Sequence, residues 1–538
     1  MVNTNRLIAV RTKKMIERKT VMKRIKITSI VILLACLASS TAFASPSQAA
    51  VPDFAAIDAY VEAQMKDTHL PGVAIGIIQG DQIVYVKGYG VADPSGRAVT
   101  AQTPFWLASL AKPVTALAVM QLVEAGKIEL DAPVQRYIPY FRLADEQDSA
   151  AITVRHLLNQ TSGLSRATGD EKFPSQAARD WTPEQRVREL SDNALTHPVG
   201  TTYQYSNVNF AMLALIVETV SGQPFESYVQ EQIFNPLEMS QSSYYQPEAI
   251  SSESAAGYQQ WFGIPIANHV PLPRSGNGGG GLIASAEDMT HFMIAQLNQG
   301  RYGNVAVLSP AGIAEMHTPA IRDGNTEEFY AMGWEVETVD GLTIVSHNGD
   351  HGNFHADMSL TSDGWGVVMM TNANGLLITG RPGGITKGVI SLLRGQQPPA
   401  NEGVVVFRVI ILGIMGIVVL QIIGMIWSLV TLRGWFRNSQ PDRRPHGWRR
   451  VGRQVVLPLV MNLLLGFVIT VGFPAFFGVS VPGFVFVYPD LGYAMVISGI
   501  VAFIWIIRTV LAYFALRSAN PTEITGPQTR VSPALSQK

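Results

Sequence analysis

Three apolar stretches near one end of this 538-residue chain constrain it more than any other feature. Val409–Thr431 is broken only by Gln421 and Ser428, and Val455–Phe477 and Leu491–Phe514 are similar. A helix needs about 20 such residues to cross the hydrocarbon of a bilayer. The sequence therefore predicts membrane helices at 404–432, 455–477 and 491–514. The intervening stretch 433–454 carries Arg433, Arg437, Arg443, Arg444, Arg449, Arg450 and Arg453 against one acid, Asp442. Such a loop is expected in the cytoplasm. The first span then enters from outside. The third ends near Arg508 and Arg517, with a cytoplasmic tail at 515–538, and Arg508 is expected to snorkel.

The charge distribution agrees with this topology. Residues 1–44 hold nine Lys/Arg and one Glu, 45–403 hold 19 Lys/Arg and 37 Asp/Glu, and 404–538 hold 12 Lys/Arg and three Asp/Glu. An acidic block of net −18 thus lies between two basic, apolar ends. That block would repel phosphate, which excludes a nucleic-acid partner. One cysteine, Cys36, excludes a disulfide scaffold. The first block reads as a signal peptide at 1–44: a basic stretch to Lys26, an apolar run Ile27–Leu37, and Ala42-Phe43-Ala44 as an A-x-A cleavage site. An uncleaved anchor and lipidation at Cys36 are the alternatives.

Residues 45–400 form the working domain, expected outside the cytoplasm. Val73–Gln79 and Gln82–Gly88, separated by Gly80-Asp81, read as a hairpin. Pro113–Ala125 has helical spacing. Thr343–Ser346 and Gly366–Thr371 look like strands, and 130–300 is helix-rich with a loop at Ser275–Gly281. Sheet segments from both ends with helices between them give an α+β class.

Three short motifs carry chemistry. Ser109-Leu110-Ala111-Lys112 places a hydroxyl and an amine three residues apart at a helix start, on one face. Serine is a poor nucleophile until a base takes its proton, and a buried lysine can do so. Tyr205-Ser206-Asn207 supplies a phenol that can relay protons and an amide that can bind one. His347-Asn348-Gly349 follows an apolar run and is placed at or near a strand end, with Gly349 allowing close approach to backbone. Tyr302-Gly303-Asn304 repeats the second motif in a turn and is read as structural. The spacing of His347, His351 and His355 would suit a metal site on a helix. The surrounding Asn and Gly residues point to turn and strand instead, so no metal and no cofactor is expected.

The order Ser-x-x-Lys, Tyr-x-Asn, His-x-Gly resembles the S-x-x-K serine hydrolases: class C β-lactamases, D,D-peptidases and related esterases and aminopeptidases of peptidase family S12. Leu157–Leu164, Pro236–Met239, Gly281–Met289 and Gly333-Trp334 follow the family's order, and the likeness covers about 50–395. It implies an antiparallel sheet flanked by helices, plus a helical subdomain. It implies Ser109 as nucleophile, Lys112 and Tyr205 as proton carriers, and Asn207, His347 and Gly349 as substrate-binding residues. The backbone N–H groups of Ser109 and Asp350 would form the oxyanion hole. His347 replaces the lysine of class C β-lactamases, which favours the peptidases and esterases. The layout also resembles the membrane peptidases that mature N-acyl-D-asparagine prodrugs, although those carry Ser at the place of Asn207.

The expected protein is a multi-pass enzyme of the bacterial cytoplasmic membrane acting on a small-molecule or peptide substrate containing D-amino acids. Its partners would be membrane lipid and a membrane partner for the two helices beyond what anchoring requires. A non-catalytic sensor or transporter-coupled module is the alternative of another class.

Overall fold

The computed structural model describes residues 52–166, 168, 181–244, 253–270, 274–324, 326–375, 384–399, 402–437, 448–477 and 479–517. The expected leader, residues 438–447 of the Arg-rich loop and 518–538 of the tail lie outside them.

Helix α1 (Phe54–Thr68) leads into the hairpin β1 (Gly72–Gln79) and β2 (Gln82–Gly90). Then come the short strand β3 (Phe105–Ala108) and helix α2 (Ala111–Glu124). A helical region follows, centred on α3 (Asn207–Ser221). A second hairpin, β4 (Tyr258–Trp261) and β5 (Ile264–Ala267), precedes β6 (Leu282–Ala284) and α4 (Ala286–Leu297). The chain then returns as a meander, β7 (Glu335–Val339), β8 (Leu342–His351), β9 (Phe354–Thr361) and β10 (Trp365–Thr371). The short strand β11 (Ala373–Asn374) and helix α5 (Gly384–Leu393) complete the domain.

The main sheet has eight antiparallel strands, ordered Ile321–Arg322, Phe329–Tyr330, β7, β8, β9, β10, β1, β2. First and last segments of the domain therefore pair next to the β2 edge, with Val73 opposite Thr371 and Ile77 opposite Val367. Side chains alternate along β1. Val73, Ile75 and Ile77 pack with Ile57, Val61 and Val389 of α1 and α5. Ala74 and Ile78 share the core that holds Met289 and Phe292 of α4. Each large aliphatic side chain buried there contributes about 1.5–3 kcal/mol.

Two sequence expectations need correction. His347 is not at a strand end: β8 continues to His351, because β9 pairs with it throughout, His347 opposite Met358 and His351 opposite Phe354. Pairing overrides the weak strand preference of Asn348 and Gly349. The Ser275–Gly281 loop is a 3₁₀ turn, Arg274–Gly276, followed by one helical turn, Asn277–Gly280. Arg274 and Asn277 both donate to the carboxylate of Glu226, at 3.0 and 2.7 Å, and this fixes the turn.

Three helices after the domain are long and apolar enough to cross a membrane: Val409–Phe436, Arg449–Phe477 and Pro489–Phe514. The first is part of α6 (Glu402–Arg437), the second is α7 (Arg449–Phe477), and the third is part of α9 (Pro489–Arg517). All three reach beyond the expected bounds. A short helix, α8 (Val481–Val487), joins the last two. The polar interruption Gln421 has a purpose: Ser498 Oγ donates to its Oε1 at 2.9 Å across the buried α6–α9 contact. Arg508 does not snorkel. It is 2% exposed, with its guanidinium 5.4 Å from the ring centres of Trp435 and Trp505.

Candidate active site

Strand β3 is wholly buried and ends at Ala108, whose φ of 49° is left-handed. Strain at a non-glycine residue of this kind persists only where the surroundings impose it. It turns the chain out of the sheet and leaves Ser109 half-buried, two residues before α2 begins. Lys112 lies in the first turn of α2 and is fully buried. Its Nζ donates to Ser109 Oγ at 2.9 Å, to Asn207 Oδ1 at 2.9 Å and to Gly279 O at 2.6 Å. These match the three donors of an ammonium group. The Tyr205 hydroxyl donates to Ser109 Oγ at 2.8 Å, and the Tyr205 ring centre is 4.8 Å from the same ammonium. Four residues expected at the site thus meet within hydrogen-bond distance, from segments 95 residues or more apart.

A buried amide network holds the Tyr205 turn in place. Gln160 Oε1 accepts from the Ser206 N–H at 3.0 Å and from Asn209 Nδ2 at 2.6 Å, while Ser162 Oγ donates to Asn209 Oδ1 at 2.8 Å. The Leu157–Leu164 segment, noticed only for its resemblance, therefore positions the phenol.

On the opposite side, β8 presses against the Ser109 turn. A Cβ on Gly349 would lie 2.0 Å from Leu107 O and 3.0 Å from Ser109 N, so only glycine fits. His347 is buried one turn of strand earlier. Its Nδ1 donates to Asn348 O at 2.6 Å, which leaves Nε2 as an acceptor facing the Tyr330 hydroxyl at 3.4 Å. Burial, with Lys112 adding to it, lowers its pKa to about 3. His347 is thus neutral at ordinary pH and presents no charge to a substrate. Its ring centre is 6.4 Å from that of Tyr205. A cation does lie at the rim: the exposed Arg166 guanidinium is 5.3 Å from the Tyr205 ring centre.

Asp350 follows Gly349 and accepts from His355 Nδ1 at 2.8 Å, while His355 Nε2 donates to Asp357 at 3.1 Å. Burial opposes a charge on His355, but the two carboxylates outweigh it and raise its pKa well above the usual histidine range. Asn374 Nδ2 donates to His351 O at 2.5 Å and to Asp350 at 3.3 Å. His351 stacks on Trp106 at 4.2 Å, with Nδ1 donating to Asn353 at 2.7 Å. The three histidines considered as metal ligands therefore serve separate contacts. Among the described residues no group of three His, Cys, Asp or Glu side chains is arranged to hold a metal ion.

Sequence reasoning missed Gly279, Gln160, Tyr330 and Arg166. The glycine run was a usable signal, since the carbonyls of Gly278, Gly279 and Gly280 accept from Thr115, Lys112 and Trp106 at 2.7, 2.6 and 2.7 Å.

Comparison with known proteins agrees with the fold. A family profile described as Beta-lactamase matches residues 57–378. Protein flp of Staphylococcus aureus (strain COL) is 27% identical over 322 residues, which cover 59% of this chain and 63% of that protein. The chain thus spans about 63% of the length of that curated relative. Among solved structures, the octameric penicillin-binding protein homologue from Pyrococcus abyssi is 25% identical, with a TM-score of 0.54 over 65% of this chain and 79% of its own. A D-stereospecific amidohydrolase from Streptomyces sp. is 26% identical, with a TM-score of 0.51 over 60% and 95%.

Proposed function

Because the chain belongs to the Beta-lactamase family and carries its penicillin-binding-protein-like serine hydrolase fold, we propose that it is a membrane-anchored hydrolase working through a Ser109 acyl-enzyme. The observation that carries this reading is the contact of Ser109 Oγ with both Lys112 Nζ and the Tyr205 hydroxyl, at 2.9 and 2.8 Å. With the Lys112–Tyr205 pair holding one proton fewer, as Lys112 amine or Tyr205 phenolate, Ser109 Oγ bonds to the substrate carbonyl carbon, the carbonyl π pair moves to its oxygen, and the Ser109 proton passes to the pair. That proton then goes to the leaving amine or alkoxide when the tetrahedral intermediate collapses. Water repeats the sequence: its oxygen bonds to the acyl carbon, its proton enters the pair, and Ser109 departs reprotonated. The N–H groups of Ser109 and Asp350 hold the oxyanion, each worth about 3 kcal/mol in such a site. Asn207 orients the substrate amide beside Lys112.

The substrate class we favour is a peptide or amide containing a D-amino acid, of the peptidoglycan stem-peptide kind. Similarity to a penicillin-binding protein homologue and to a D-stereospecific amidohydrolase supports it. The neutral His347 weighs against β-lactamase-like charge recognition, so a substrate carboxylate would face Arg166 and His347 would position Tyr330 and Tyr205. The cleft would open outside the cytoplasm. The working domain touches α8 and the start of α9, the end of the helical bundle away from the Arg-rich segment.

The test is labelling of the full chain in membranes with a fluorophosphonate and a fluorescent penicillin. A covalent adduct is expected in the wild type and none in Ser109→Ala. A wild type that accepts no acylating probe overturns the enzymatic reading. Protease added to sealed cells should cut within 53–399, and complete protection there overturns the orientation.

A further inference from the structure

The β4–β5 hairpin has an unusual turn. Its two-residue turn is Phe262-Gly263, closed by the pairing of Trp261 with Ile264. Both turn residues have positive φ, 54° and 80°. Such turns take Asn or Asp at the first position, because larger side chains are strained there. Here that position holds a phenylalanine that is 68% exposed.

The exposure extends along the hairpin. Ile264 is 64% and Ile266 49% exposed. Between Asp53 and Pro399, the described residues show only three other exposed large apolar side chains: Ile83, Val305 and Val339. No charged residue occurs from Tyr258 through Asn268, although the domain as a whole is strongly acidic. In water, a concentrated apolar tip on a strained turn costs stability on both counts.

The tip is tied to the third apolar helix. The Phe262 N–H donates to Asp490 Oδ2 at 3.1 Å, and Trp261 stacks on Tyr493 at 5.6 Å. Gln259 Nε2 also donates to Phe486 O at 2.7 Å, so β4 rests on the end of α8 as well. The 26-residue apolar segment of α9 is about 39 Å long at 1.5 Å per residue, more than the hydrocarbon thickness. Its first turn therefore lies at headgroup level, where tryptophan and tyrosine are favoured. The hairpin tip lies at the same level.

We infer that the Phe262–Ile266 tip is a second, monotopic membrane contact that enters the outer lipid leaflet beside α9. Its occupant is lipid, at the boundary between headgroups and acyl chains, the depth reached by amphipathic elements that lie on a bilayer. The contact fixes how the cleft is held above the membrane. β4 pairs with β11, Asn374 opposite Gln259, and Asn374 holds the end of β8 through His351 O. A hydrolase held in this way would present Ser109 at a constant height to substrates anchored in, or close to, the lipid.

The inference rests on the membrane reading of the three helices, and its test separates the two. In the full chain with Cys36→Ser, single cysteines are placed at Phe262, Ile264, Ile83 and Trp427, the last being exposed on α6. Each is labelled with bimane in nanodiscs containing doxyl-labelled phosphatidylcholine. Lipid quenching at 262 and 264 is expected to be at least about threefold that at 83 and to approach that at 427. Equal quenching at 262, 264 and 83 overturns the inference while 427 remains quenched. Loss of quenching at 427 overturns the membrane reading itself. Shielding of 262 and 264 from both lipid and aqueous iodide would assign the tip to a protein neighbour and overturn the lipid contact. If Phe262→Cys does not fold, Ile266→Cys provides the same readout.

Discussion

Two of the hairpins with two-residue turns in the working domain meet different surroundings. Gly80-Asp81 joins β1 to β2: glycine takes the positive φ of 59°, and the next residue is an exposed carboxylate. Phe262-Gly263 joins β4 to β5, and there the first positive φ falls on a large apolar residue. The first turn is written for water. The second costs backbone strain and exposes apolar surface, and the two costs coincide at the edge that touches the apolar helix α9. A turn therefore records the medium it faces, and side-chain identity at the left-handed position is the mark.

The same contrast separates the Ser109 cleft, where every expected group has a polar neighbour, from the tip. The largest effect should come from breaking the cleft. Lys112→Ala leaves Asn207 Oδ1 and Gly279 O without their ammonium donor. Fluorophosphonate labelling should slow by about 10²–10⁴-fold, the usual range for loss of a general acid–base group. A change of less than about threefold would remove Lys112 from the proton path.

Next is Gly349→Ala against Gly80→Ala. The first drives a Cβ to 2.0 Å from Leu107 O, while the second meets open space and pays only for its positive φ. Thermal unfolding should show Gly349→Ala as the more damaging, by about 1–3 kcal/mol from overpacking, with slowed labelling as well. Gly80→Ala should cost about 1 kcal/mol and leave labelling intact. Equal losses would mean that β8 can give way.

A smaller, graded effect is expected with pH. Burial lowers the pKa values of His317 and His351 to about 4, and burial with Lys112 lowers that of His347 to about 3. All three lie below the unfolded value of about 6.5. The unfolded chain then binds more protons in this window, so stability is full above pH 6.5 and falls as pH drops toward 3. His355 has the opposite sign: its contribution is full below pH 6.5 and is lost as pH rises through its raised folded pKa. Urea midpoints at pH 7 and pH 5 check this, and His317→Gln should flatten the acid decline. An unchanged decline would remove His317 from the set.

The smallest effect sharpens the comparison most. Phe262→Asn supplies the residue that the turn prefers. In detergent its stability to heat should match or slightly exceed that of the wild type, by up to about 1 kcal/mol. A clear loss of stability there would make Phe262 a packing residue rather than a lipid-facing one.

Much of the cleft was legible in the sequence because its chemistry lives in short, dense motifs. Ser109 and Lys112 are three residues apart, and Tyr205 and Asn207 only two. Elements with strong patterning, such as β1 and α2, were equally readable. His347 was misplaced because the end of β8 is set by pairing with β9, a partner that its own residues do not encode. The roles of Gly279 and Gln160, which lie in stretches that stand out in the sequence, were hidden for a related reason. One acts through a backbone carbonyl and the other through an amide reaching 46 and 49 residues along the chain. Arg508 looked like a snorkelling residue until Trp435 and Trp505 were seen to enclose it.

The bond from the Phe262 N–H to Asp490 joins residues 228 positions apart. A ribosome makes the hairpin long before it makes α9. On the proposed membrane reading, the working domain would wait, with its tip unclaimed, until the third helix has been synthesised and inserted. Docking of β4 on α9 is then among the last contacts this chain can complete. A truncation before residue 489 would interrupt assembly at that stage, leaving a domain with Ser109, Lys112 and Tyr205 all present and its β4–β5 tip without its partner helix.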